Sequence, residues 1–429
     1  MRIGLFTDTY RPSINGIVFV VESLKNELEA MGHEVYLFCP ARSLRRGKYV
    51  EQLEEDERVI RFPSVKGAFY DDYDTSIFFP PLVLSRIREL ELDVIHVFSP
   101  GQVGLMGIQA AWKTDTPFVS QHCTDIYQFV EHYPAVLPGA LALVGLIVPF
   151  TVKLHGKDMR EIAKLYRPRR GVTQWNQDII EKAVTIVYSR ADAVITLSRK
   201  STNQLASWQN DEHYAYPIVM MPNGVTPIPK ATAAQIRDFK MNWGIAERDE
   251  VFGFVGRLGE EKNLPLLITA LGKVLKKRPR AKLLFVGDFE FREELERMAS
   301  EIPYAERIVF TGAIERNQLG AAFGSMKLFA FPSLKDTQAW VLHEAAYFGL
   351  PVVMVDPELS EVVFDGVNGA IVKNTPTAFA DAVTEILASP KKQQLYALAS
   401  KKLARKFTVR GQVKKLEKLY YEVIHRYSR

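Results

Sequence analysis

The chain has 429 residues, 47% hydrophobic and 24% charged, which is too long for one ordinary core, so two domains are the starting expectation. Its two cysteines, Cys39 and Cys123, exclude a disulfide framework or a four-thiolate zinc site and fit a reducing compartment. The net charge of +5 is local in origin: residues 391–429 carry twelve Lys/Arg against two Asp/Glu, which suits an anionic membrane surface or the solvated face of a terminal helix. Nucleic acid is disfavoured, because Phe407, Tyr420, Tyr421 and Tyr427 are not interleaved as a base-stacking platform requires.

In chain order, Ile3–Phe6 reads as a short strand, and the N-terminus lacks the apolar stretch of a signal peptide, which points to the cytoplasm. A helix through Val20–Ala30 follows, then strands at Val35–Cys39, Val94–Phe98, Phe118–Gln121 and Ala193–Leu197. Beyond the turn-rich segment Val219–Pro229 the same grammar returns, with runs at Val251–Val255, Lys282–Val286, Ile308–Phe310, Leu328–Phe331 and Pro351–Val355. β-Branched runs alternating with helix-length stretches predict parallel βαβ units, hence two Rossmann-like α/β lobes at 1–215 and 216–400 and a basic helix at 401–429. In open sheets of this kind ligands bind at the carboxyl ends of the strands.

Neither lobe carries the G-x-G-x-x-G of a dinucleotide fold, since Gly101, Gly104 and Gly107 are spaced G-x-x-G-x-x-G, and the Walker spacing is missing as well. The candidate phosphate seat is instead Gly256, Arg257 and Lys262, at a strand-to-helix turn opening a helix Leu264–Val274. Glycine permits close approach, a helix N-terminus is partly positive, and two cations add full charges. Surface pairing of Arg257 and Lys262 with Glu260 or Glu261 is the plainer alternative. Further on, Asp336 and Glu344 lie eight apart, joined by a loop and the first turns of a helix.

This carboxylate pair resembles the E-x7-E motif of the retaining family 4 glycosyltransferases of the GT-B fold, with Asp336 in place of the first glutamate. Further markers are Asn15-Gly16, Leu28-x-x-x-Gly32-His-Glu-Val35, His96-Val-Phe-Ser-Pro100, His122 with Asp125, Ala191-Asp-Ala-Val-Ile195, Pro222-Asn-Gly-Val225, Val255-Gly-Arg-Leu258, Val286-Gly-Asp288 and Phe310-Thr-Gly312. The resemblance implies two Rossmann-like lobes with parallel sheets facing a central cleft, the first binding acceptor and the second nucleotide sugar, with a C-terminal helix returning to the first lobe. It also implies roles: Arg257 and Lys262 on the donor diphosphate, Glu344 on the ribose hydroxyls, Asp336 on the transferred sugar, and backbone donors at Gly16, Thr337, Gln338 and Ala339. His122 and Asp125 would position sugar or acceptor. No cofactor and no metal are implied, and Asp72-Tyr-Asp74, which matches the D-x-D of another fold, reads as a solvated loop.

Family members usually follow the first acid with Phe-Gly, where this chain has Thr337-Gln338-Ala339. That resembles the branch that glycosylates membrane lipids and implies UDP-glucose as donor and a lipid such as diacylglycerol as acceptor. A GDP-mannose-dependent mannosyltransferase, a polysaccharide-assembly enzyme and a non-catalytic nucleotide-sugar-binding module are the alternatives. The residues from Tyr133 to Val152 bear no formal charge, but Pro138 and Pro149 bracket only ten residues, roughly 15 Å of helix against about 30 Å of hydrocarbon. With Lys153, Lys157, Arg160, Lys164, Arg167, Arg169 and Arg170 following, the segment reads either as a dip into an anionic leaflet or as a buried helix beside a basic one, the former placing the protein peripherally on the inner face of the membrane. Val413, Leu416, Tyr420, Val423 and Tyr427 form one stripe of a final helix. Oligomeric state is left open.

Overall fold

The computed structural model describes residues 1–13, 15–41, 56–62, 64–66, 74–76, 81–98, 101–123, 148–167, 171–209 and 212–427. The chain divides into two compact units, Met1–Gly224 with Val409–Arg429, and Val225–Thr408. The expected boundary at 215/216 falls too early, because strand Ile218–Met220 still pairs with the first sheet. The expected boundary at 400/401 also falls too early. Ser400 Oγ donates to Leu350 O at 2.9 Å and Asn368 Nδ2 to Ser400 Oγ at 3.1 Å, which keeps the helix Pro390–Ala404 in the second unit.

In the first unit, strands β1 (Arg2–Thr7), β2 (Glu34–Pro40), β3 (Val59–Phe62), β6 (Val94–Phe98), β7 (Phe118–Gln121), β8 (Ala193–Thr196) and β9 (Ile218–Met220) form one parallel sheet in the order β3-β2-β1-β6-β7-β8-β9. The short strands β4 (Ser64–Lys66) and β5 (Asp74–Ser76) pair antiparallel apart from it. β1 is apolar along both faces because helices cover both, as parallel sheets require. Helix Gly16–Ala30 buries Val18, Val21, Leu24 and Leu28, a 3.6-residue stripe, and its start is fixed by Asn15, whose Oδ1 accepts from Ile17 N and Val18 N.

The G-x-x-G-x-x-G run finds its reason here. Asp8, just after β1, accepts from Val103 N at 2.6 Å and Gly104 N at 3.4 Å, and so caps the helix Gln102–Thr114. A Cβ on Gly101 would overlap the Asp8 carboxylate, and one on Gly107 would overlap the Phe6 ring. These glycines serve internal packing. Burial outweighs the backbone donors and pushes the Asp8 carboxyl up to about 7.

The final helix Val409–Tyr427 closes the apolar face of β1 and β6, burying Val413, Leu416, Leu419, Tyr420 and Val423. His96 Nδ1 and Tyr420 Oη, both wholly buried, stand 2.6 Å apart. Burial holds the His96 ring near a pKa of about 3, so it is neutral. Tyr420→Phe would leave that nitrogen unpaired, with an expected loss of about 1–3 kcal/mol, read as a lower denaturant midpoint at unchanged m-value. An unchanged midpoint would show the hydrogen bond to be dispensable.

In the second unit, β10 (Glu250–Val255), β11 (Ala281–Val286), β12 (Ile308–Phe310), β13 (Leu328–Phe331), β14 (Val352–Met354) and β15 (Gly369–Ile371) form a parallel sheet in the order β12-β11-β10-β13-β14-β15. Its core is rich in aromatic side chains, with the near-parallel rings of Phe254, Phe329 and Phe331 clustered as a triangle.

Candidate active site

Strand order in the second sheet reverses between β10 and β13, and the crevice beyond such a switch point is where open α/β sheets bind ligands. The loops leaving those two strands carry Gly256 to Asn263 and Pro332 to Ala339. The first is knitted to its neighbours by backbone bonds: Gly256 N to Val286 O at 2.9 Å, Leu258 N to Asp288 O at 3.1 Å, and Gly287 N to Gly312 O at 3.0 Å. Gly287 has φ +139°, and a Cβ there would run into the Gly256 carbonyl, so the Val286-Gly-Asp288 and Phe310-Thr-Gly312 motifs are the scaffold of the Gly256-Arg257 turn. The expected helix from Leu264 begins at Pro265 instead. A 3₁₀ turn, Glu260–Lys262, and Asn263 in the left-handed region (φ +56°) come between.

That turn matters because it delivers Lys262 to the second loop. Lys262 Nζ lies 2.6 Å from Asp336 Oδ1, and Ser333 Oγ donates to Asp336 Oδ2 at 2.5 Å. Burial alone would raise the Asp336 carboxyl, but Lys262, Ser333 and the charge of Arg257 outweigh it and hold it below the usual carboxylate range. Arg257 is half exposed, with its guanidinium over the Phe289 ring at 4.8 Å and 3.8 Å from Glu261. The plainer alternative, surface pairing with Glu261, therefore holds in part for both cations, at 3.8 Å from Arg257 and 4.0 Å from Lys262, but the much shorter contact of Lys262 is with Asp336.

Ala339, in the left-handed region at φ +51°, turns the second loop into helix Trp340–Phe348. Glu344 on that helix is 6% exposed and pairs with Arg316, Nη1 to Oε1 2.7 Å. Burial raises its carboxyl and Arg316 opposes the rise. His343 beside it is buried and kept neutral, its pKa held near about 3, with its ring edge-on to Phe407 and 3.5 Å from the Gln338 amide. Arg257, Lys262, Asp336, Thr337, Gln338, Ala339 and Glu344 thus all sit on the two loops and one helix at the switch point of this unit.

The remaining candidates belong to the first unit. Gly16 is exposed in the first turn of its helix, where a Cβ would meet nothing. His122 follows β7, is 4% exposed, and its Nδ1 stands 3.0 Å from Tyr188 Oη. Asp125 lies outside the described residues, as do Asp72 of the D-x-D match and residues 133–147 of the uncharged segment.

Comparison with known proteins identifies the family. The family described as Glycosyltransferase Family 4 matches residues 14–125, and Glycosyl transferases group 1 matches residues 235–403. The chain belongs to the family 4 glycosyltransferases of the GT-B fold. Among its relatives, an alpha-monoglucosyldiacylglycerol synthase of Streptococcus pneumoniae is 25% identical over 86% of this chain and 75% of its own length. A GDP-mannose-dependent alpha-mannosyltransferase of Mycolicibacterium smegmatis is 26% identical over 83% of this chain and 80% of its own. A solved structure, Anabaena Alr3699/HepE in complex with UDP-glucose, shares the fold with a TM-score of 0.67 at 17% identity, covering 98% of this chain and 100% of that one.

In this glycosyltransferase the sequence pattern left two partners unseen. Ser333 had a local signal, a serine three residues before an acid, which is the spacing of a side chain bonding its own loop. Arg316 had none, because it comes from a separate loop 28 residues before Glu344 and meets it only once β12 and β13 are in place.

Proposed function

We propose that this glycosyltransferase moves a hexose, with retention of anomeric configuration, from UDP-glucose to the hydroxyl of a membrane lipid such as diacylglycerol, at the inner face of the membrane and with no metal ion. The observation that carries the donor half is the Lys262–Asp336 pair at the switch point, with Arg257 beside it. Breaking the anomeric C–O bond builds positive charge on the sugar and adds negative charge to the departing diphosphate. Lys262 and Arg257 answer the second, and the Asp336 carboxylate holds the sugar through a ring hydroxyl. With no separate nucleophile assigned, the acceptor oxygen attacks from the leaving-group side and its proton passes to the leaving phosphate. His122 is assigned to the sugar or acceptor.

The lipid half is supported by relatives named as monoglucosyldiacylglycerol synthases and by a surface on the first unit. Helix Gly156–Leu165 buries Asp158, Ile162 and Leu165 and is held by Arg190, whose Nη2 is 2.6 Å from Asp158 Oδ2. Its other face and flanks expose Phe150, Met159 and Tyr166 among Lys153, Lys157, Arg160, Lys164 and Arg167. Exposed apolar side chains interspersed along the chain with cations suit an anionic leaflet. Among the described residues no helix is long and apolar enough to cross a membrane. The mannosyltransferase relative favours GDP-mannose as the second reading.

The test is a donor panel of UDP-glucose, UDP-galactose, UDP-N-acetylglucosamine and GDP-mannose, each with anionic vesicles containing diacylglycerol and with chelator, scored for nucleotide release and labelled lipid. Labelled lipid from UDP-glucose is expected. Label from GDP-mannose alone would replace the donor, and release without labelled lipid would remove diacylglycerol as acceptor. Changing Phe150, Met159 and Tyr166 together to serine is expected to weaken vesicle binding by more than about tenfold, since even one apolar side chain withdrawn from water contributes about 1.5–3 kcal/mol. Undiminished co-sedimentation would discard this face.

A further inference from the structure

The second acid of the motif is not held by its own helix. Arg316, from the loop after β12, has three anchors: Nη1 lies 2.7 Å from Glu344 Oε1, Nη2 donates to Thr226 O at 3.1 Å, and the guanidinium lies over the Trp340 ring at 5.1 Å. The carboxylate it meets is almost wholly buried. An ionised carboxylate in such surroundings needs a paired cation, and removing the partner of a buried pair is strongly unfavourable. A planar guanidinium anchored by Nη2 to Thr226 O and lying over Trp340 also fixes where its charge stands against the carboxylate, which a lysine cannot do as well.

From this we propose that Arg316 is a positioning residue for the donor: its anchored charge pairs with Glu344 on the Oε1 side and keeps the buried carboxylate ionised, so that the ribose hydroxyls are accepted at the other oxygen. The proposal rests on the reading that Glu344 takes the ribose. It explains why an arginine distant in sequence is tied at once to the acid, to the first residue of the acid's helix and to residue 226.

The pairing also sets a pH dependence. Burial raises the Glu344 carboxyl and Arg316 opposes it. On the helix and its loop the other titratable groups are His343, which is neutral and turned towards Gln338 and Phe407, Tyr347, whose ring lies under Lys230, Lys335, and Asp336, which is bound up with Lys262; from other elements the charged group that acts on Glu344 is Arg316. Removing the guanidinium therefore lets the Glu344 carboxyl rise further. Glu344 is then protonated over more of the acidic range and ionises again as pH rises, so the defect must be largest at low pH and shrink upwards.

The test needs no turnover: calorimetric binding of UDP and GDP against their 2′,3′-dideoxy counterparts, at about pH 6 and about pH 9, for the unmodified protein, Arg316→Gln, Arg316→Lys and Glu344→Gln. Hydrogen bonds to a charged group are worth roughly 1.5–3 kcal/mol, so the unmodified protein is expected to prefer the ribose form at least about tenfold. Glu344→Gln should lose that preference at both pH values. Arg316→Gln should lose most of it near pH 6 and regain it towards pH 9. Full preference in Arg316→Gln at both pH values, with Glu344→Gln defective, overturns the role of Arg316. Intact preference in Glu344→Gln overturns the ribose reading instead. Should circular dichroism show Arg316→Gln unfolded, Arg316→Lys decides: it keeps the charge and loses the fork, so its preference must fall without becoming pH-dependent, and an unchanged preference counts against the proposal.

Discussion

Lys262→Ala is expected to lower sugar transfer by on the order of 10²-fold to 10³-fold, the effect of removing one preorganised donor from a developing negative charge. Nucleoside-diphosphate affinity should fall with it, because the lost ammonium is one of two cations on the Gly256 turn and the one set 2.6 Å from Asp336. A second effect separates this from simple loss of charge. Asp336 is held below the usual carboxylate range against its burial chiefly by Lys262. With alanine at 262 that carboxyl rises, so the residual activity should decline further as pH falls through the acid range. Lys262→Arg, which restores the charge, should recover part of both. Unchanged diphosphate affinity in Lys262→Ala would remove the residue from the phosphate seat.

Asp336→Asn is expected to have the opposite signature on binding. The amide keeps the shape and can still bond Ser333, but it no longer holds a sugar hydroxyl as a charged acceptor, and mispositioning at a reacting centre costs about 10²-fold in rate. Affinity for UDP lacking the sugar should hold or rise, because a negative charge has been taken away from beside the diphosphate seat and Lys262 has been released from its pair. Binding by calorimetry and transfer to labelled lipid, measured on the same preparation, decide it. Equal losses in both would mean that Asp336 merely props the loop, and activity equal to the unmodified protein would leave the carboxylate without a role.

The fold was legible because period and punctuation are local properties. Runs such as Val94–Phe98, Phe118–Gln121 and Leu328–Phe331 stand as strands with the ends read from sequence, since a strand buried on both faces is apolar along most of its length, broken here only by the buried His96, Ser120 and Gln121. The unit boundary was misread by nine residues because Ile218–Met220 is short, partly exposed at the sheet edge, and followed at once by turn residues. The helix after β10 begins one residue later than expected because Leu264, buried and apolar like the helix residues, serves as its N-cap. At the site, Arg257 and Lys262 stood out by their strand-to-helix turn, and Asp336 and Glu344 by their resemblance to the E-x7-E motif. Which cation meets which acid was not legible, since Lys262 reaches Asp336 across 74 residues and Arg316 reaches Glu344 from another loop. Long-range partners are set by strand order, and strand order is not written in any one segment.

The way the second unit is spliced into the first has a bearing on how the chain is made. Val225 N donates to Phe407 O at 2.8 Å, so residues 225–408 begin and end side by side. During synthesis the whole of this insert is polymerised before the helix Val409–Tyr427, which shares a core with Leu5, Val94 and Ile195 of the opening 224 residues. The first unit to start is thus the last to finish, and its apolar sheet face stays uncovered throughout synthesis of the insert. A version in which residue 224 is joined directly to residue 409 would shorten that interval and give the first unit on its own.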